Sequence, residues 1–64
     1  MNKPIMSDLD AINAIEDGTP DEYTFTAAVQ TLIDSGTIWH LEEYHRRLAN
    51  YFLAKGLVYD RSEQ

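Results

Sequence analysis

Residues 34–47 read DSGTIWHLEEYHRR, and this stretch decides how many helices the chain contains. Gly36 follows an apolar helical run and suits the left-handed residue that closes a helix. Thr37, directly after it, is an N-cap residue type, so a new helix is expected to begin there. Ile38, Leu41, His45, Leu48 and Phe52 then follow at spacings of three, four, three and four, the seam of a helix packed on another helix. Gly56 supplies the stop, and the pattern predicts a long third helix over about 37–55.

Upstream, "TPDE" predicts a second helix over about 20–35, with Thr19 as N-cap, Pro20 in the first helical position and Glu22 three residues after the cap. Phe25, Val29, Leu32 and Ile33 give it one apolar stripe. The first helix is expected over about 8–17. Ser7 is its cap, Leu9, Ile12 and Ile15 form the stripe with Ala11 and Ala14 beside them, and Gly18 closes it. Helices this short are marginal in isolation and need a surface to pack on. The expected fold is therefore an all-α, three-helix domain filling residues 1–64: two short helices and a longer third. Leu57 to Tyr59 should fold back on the bundle, and residues 60–64 should fray.

A domain of 64 residues buries only ~60% of its unfolded surface, so it needs exceptional packing, a staple or a second copy. The chain has no cysteine, which excludes disulfides and thiolate zinc sites. No apolar run reaches the ~18 residues of a membrane span, and the N-terminus lacks a long apolar signal segment. A soluble, cytoplasmic protein is expected. In the second half of helix 3, Leu48, Ala49, Tyr51, Phe52 and Leu53 spread over about 200° of the circumference, wider than one core face requires. Trp39, Tyr44, His45, Tyr51 and Phe52 are thus candidate contacts for a partner or for a second copy of the chain, making a homo-oligomer an expectation.

The net charge of −6 is unevenly placed. Residues 1–34 carry seven acids against Lys3 alone, whereas residues 35–64 carry four acids and four bases. Arg46-Arg47 is the nearest approach to a phosphate-binding cluster, which argues against direct nucleic-acid binding. Asp8, Asp10, Asp21 and Glu22 stand in or beside first turns, where the helix dipole favours acids. Glu16 and Asp17 stand at the unfavourable end of helix 1. The run "EDGTPDE", with Glu16, Asp17, Asp21 and Glu22, is accordingly the candidate acidic surface for a basic partner, against the alternative of an ordinary solvated loop.

Catalysis and cofactors find no foothold in the sequence. His40 and His45 are five residues apart, about 140° on a helix, so they do not share a metal as residues at i and i+4 would. Glu42–Arg46 and Glu43–Arg47 are favourable i,i+4 pairs and need no functional explanation. No phosphate loop or nucleophile–base motif is present. The expectation is a non-enzyme without metal or cofactor.

The segment LIDSGTIWHLEEYHRRLANYFLAKGL resembles the shared region of a family of short bacteriophage proteins of unknown function. In that family Leu-Ile-Asp-Ser/Thr-Gly is followed by Trp, Leu, an Arg-x-Ala step and a closing Gly-Leu. The match is ungapped and falls on Leu32 to Gly36, Trp39, Leu41, Arg47, Ala49, Gly56 and Leu57. It departs where the family tends to have Gly in place of Glu43 and Arg46, and Tyr in place of His45. The resemblance implies a phage origin and a place among small accessory proteins expressed during infection.

The expected function is a small acidic protein-binding module that modulates a host or defence protein. The alternatives are a structural or assembly protein acting as a homo-oligomer and, more weakly, a nucleic-acid regulator using Arg46 and Arg47.

Overall fold

Two glycines set the chain reversals. Gly18 and Gly36 have φ of +70° and +82°, a left-handed backbone that costs an L side chain roughly 1–2 kcal/mol. In the computed structural model, which describes residues 6–18 and 21–60, they close α1 (Asp8–Asp17) and α2 (Glu22–Ser35). A 3₁₀ turn (Thr37–His40) and α3 (Glu43–Ala54) follow. Among the described residues there is no strand, and the domain is all-α with three helices.

α1 starts as its sequence predicts, with the Asp10 N–H donating to Ser7 Oγ at 3.1 Å. Its buried stripe is different. Ala11 and Ile15 are enclosed while Leu9 is 67% exposed. A three-residue repeat drifts by about 60° per step, which leaves Leu9 about 120° from Ile15. Because α1 packs chiefly against α2, one line of residues is covered and Leu9 falls outside it.

α2 begins later than expected. Asp21, not Thr19, is its N-cap, and the helix starts at Glu22 in place of Pro20; Thr19 and Pro20 themselves lie outside the described residues. The Asp21 carboxylate accepts the Tyr23 N–H at 3.2 Å and the Thr24 hydroxyl at 2.6 Å, a fuller cap than one threonine hydroxyl provides. Ala28, Val29, Leu32 and Ile33 form the centre of the core, and the Phe25 ring tilts against Phe52 with centroids 5.8 Å apart.

The long third helix is broken in two. Residues 37–40 turn as 3₁₀, Leu41 is extended, and α3 begins at Glu43 behind Glu42, whose side chain makes no cap bond. The 3₁₀ turn seats Ile38 fully in the core and Trp39 against its edge. Thr37, Ile38, Trp39 and His40 are all mediocre helix formers, so little propensity opposes the break. Thr37 is not a cap either. Its hydroxyl donates to Asp8 at 2.5 Å while lying 3.0 Å from Ser35 Oγ, which pins the joint to the start of α1. The Arg46 guanidinium donates to the Leu41 carbonyl at 2.6 Å, so the Glu42–Arg46 pair does not form, whereas Arg47 and Glu43 meet at 2.8 Å as expected.

The chain after α3 returns to the bundle. Val58 is buried, and the Gln30 amide both donates to the Tyr59 carbonyl and accepts its N–H, each at 2.9 Å. Of the expected frayed tail, Asp60 is half-buried and residues 61–64 lie outside the described residues. The radius of gyration, 10.8 Å, agrees with the ~11 Å of one compact domain of this length. No helix among the described residues is long and apolar enough to cross a membrane.

The Asp21 cap has a pH signature. The Thr24 hydroxyl, opposed by desolvation and aided by backbone N–H groups, holds the carboxyl below its ordinary 3.8. A folded value below the unfolded one means the cap's contribution is full above 3.8 and is lost as pH falls through the lower folded value. Asp21→Asn keeps a capping side chain but removes the titration. Urea midpoints of the native protein should therefore fall more steeply than those of the variant below this pH; parallel curves would contradict the assignment.

Candidate functional site

Two residues break local rules. His45 occupies a core position of α3 where an aliphatic side chain would pack without polar atoms. Glu16 carries negative charge into the last turn of α1, where the dipole is already negative and no basic residue compensates it. The fold brings these two together: His45 Nε2 lies 3.6 Å from Glu16 Oε2.

Their surroundings differ sharply. The His45 residue is 2% exposed, and neither ring nitrogen has a hydrogen-bond partner. Leaving such a group unsatisfied costs about 1–3 kcal/mol. The Glu16 side chain is 49% exposed, so its carboxylate spans the boundary between core and solvent. Tyr44 covers the pair from outside. Its ring lies 4.0 Å from the imidazole, centroid to centroid, at 30°, and its hydroxyl donates to the same Glu16 Oε2 at 3.4 Å. Desolvation, then the Glu16 charge and hydrogen bond and the charge of Glu42, raise the Tyr44 phenol above its ordinary 10.0, which keeps it a donor at neutral pH. One carboxylate oxygen thus faces two potential donors, one on the surface and one buried.

The four acids singled out in the sequence separate into distinct roles. Asp21 is the cap of α2 and belongs to the scaffold. Glu16 engages Tyr44 and faces His45. Asp17 and Glu22 are exposed, on either side of the reversal between α1 and α2. Of the five helix-3 candidates, Phe52 is a buried core residue and His45 is enclosed, so neither offers a contact surface: both lie on the α3 face turned to α2 and α1. Trp39 is half-buried. Tyr44 and Tyr51 are exposed, at 51% and 57%. His40 is exposed on the 3₁₀ turn and separated from His45 by the helix break. Among the described residues no three His, Asp or Glu side chains converge as metal ligands would.

Both anomalies were visible as local misfits. What the sequence lacked was the break after His40, which decides the direction His45 faces. Comparison with protein-family models, with curated proteins and with solved structures found no match.

A buried imidazole without hydrogen bonds should detract from stability. His45→Leu is expected to stabilise the fold by about 1–3 kcal/mol in urea denaturation at about pH 8. A loss of stability would contradict the absence of partners for the ring.

Proposed function

We propose that this chain is a small accessory protein of phage type that acts without catalysis, by binding a basic protein of the host or of its defences. The observation that carries this reading is the acidic end of α1: Glu16 and Asp17 stand against the helix dipole, with no base in the turn and with Glu22 close in sequence across the reversal. Exposed acids that oppose the local field are better accounted for by a partner that supplies a cation. The charge imbalance of residues 1–34 extends the same field, and the resemblance of residues 32–57 to the phage family supports the setting.

A second reading, self-association, rests on the α3 stripe of Tyr44, Leu48 and Tyr51, where Lys55 lies 5.6 Å from the Tyr51 ring. Tyr44 and Tyr51 are exposed on that stripe and Leu48 is half-buried. A stable monomer in sedimentation at tens of micromolar removes it. The nucleic-acid reading would rest on Arg46, which donates to the Leu41 carbonyl, and Arg47, which meets Glu43.

The test is capture from a bacterial lysate with the tagged protein. The native chain is expected to retain a basic protein, and Glu16→Lys/Asp17→Lys/Glu22→Lys, with Asp21 left intact as the cap, should abolish retention while the helical circular dichroism persists. Retention unchanged by the reversal would refute the acidic contact surface.

A further inference from the structure

Among the described residues, Glu16 is the carboxylate that faces both a buried base and the acidic surface. Its Oε2 lies 3.6 Å from the Nε2 of His45, a distance at which a neutral imidazole makes no hydrogen bond but a protonated one forms an ion pair. The ring's second nitrogen is equally without a hydrogen-bond partner. Half of the Glu16 side chain remains open to solvent. Against it stands the flat, half-exposed ring of Tyr44, whose hydroxyl reaches the same oxygen.

We propose that Glu16 and the Tyr44 ring form a seat for an arginine side chain of the basic partner, and that protonation of His45 closes it. The inference rests on the acidic-surface reading given above. The ligand chemistry follows from the lining: a guanidinium can pair through two N–H groups with one carboxylate and lay its plane on a tyrosine ring, which an ammonium does less well. The closure follows from shared use of one carboxylate. When His45 carries a proton it supplies Glu16 with a cation from within, and the seat loses much of the charge that would hold the arginine. Histidine is the side chain whose ordinary titration falls in the physiological range.

The titratable groups on the elements packed about α3 are as follows. From α1 they are Glu16 and its neighbour Asp17; on α3 they are Tyr44 and, at the helix start, Glu42, whose charge acts on the Tyr44 phenol. α2 contributes Asp21, Glu22, Tyr23 and Asp34, and the 3₁₀ turn contributes His40. None of these hydrogen-bonds the imidazole. Asp21 is held by Tyr23 and Thr24, and Asp34 by Gln30.

The experiment measures the affinity of the full chain for the peptide Ac-Arg-Ala-Arg-amide, and for its lysine counterpart, by NMR shift titration at about pH 8 and about pH 5, either side of the ordinary histidine value of ~6.5. Binding of the arginine peptide should perturb Glu16 and Tyr44, exceed that of the lysine peptide, and weaken about tenfold at the lower pH, within the usual range of coupling between two sites. His45→Leu, or His45→Met should the first variant not fold, should bind equally at both values. His40→Leu should keep the native difference. A pH effect that survives in the His45 variants, or disappears with His40, overturns the gate. Equal affinity for the two peptides overturns the arginine seat. If neither peptide perturbs α1 at any pH, the acidic-surface reading itself fails. Binding at Asp17 and Glu22 with no pH effect leaves that reading standing and overturns the present inference alone.

Discussion

The contact between the Glu16 carboxylate and the Tyr44–His45 pair joins the end of α1 to the start of α3. It is a polar contact at the margin of an otherwise aliphatic core, where Ala11, Ile15, Val29, Leu32, Ile33 and Ile38 supply most of the burial. Hydrophobic packing places α3 against α2. Among the described residues, the contacts of Glu16 with Tyr44 and His45 link the α3 helix to α1.

The joint between α2 and α3 makes this contact geometrically possible. Gly36 reverses the chain in a left-handed conformation, Thr37 fixes the new direction by bonding to Asp8, and the 3₁₀ turn moves Ile38 into the core. α3 then starts afresh at Glu43. Had residues 37–55 formed one unbroken helix, its direction would have been set at Thr37 and the side of the bundle facing α1 would have been different. The break thus converts a seam histidine into one that faces the acidic end of another helix. The same residues that resist helix formation locally, two β-branched and two aromatic in a row, carry the tertiary change of direction.

How far the sequence could be read follows from which signals were chemical and which were geometric. The all-α class, the bounds of α1, the stop at Gly36, the Glu43–Arg47 pair and the return of Val58 to the core all follow from periodicity and cap chemistry. The start of α2 was legible in kind but misassigned between two adjacent caps, Thr19 and Asp21. The start of α3 carried no signal, because Glu42 holds the cap position without a capping bond. For the site, the sequence isolated Glu16 and His45 separately, each as an exception to a local rule. Their meeting could not be read, since it depends on the helix break. Phe52 was misassigned to a surface because the apolar arc of α3 was counted along a continuous helix, and the arc does not distinguish a broad core face from a second contact face.

The central claim is that Glu16 and His45 act as a pair whose interaction depends on the protonation of the ring. A double-mutant cycle in urea denaturation, using Glu16→Gln, His45→Leu and the combination, measures this directly at about pH 5 and about pH 8. The account predicts a favourable coupling of at least ~0.5 kcal/mol at the lower pH that vanishes at the higher one. Coupling of equal size at both values, or none at the lower one, would contradict it.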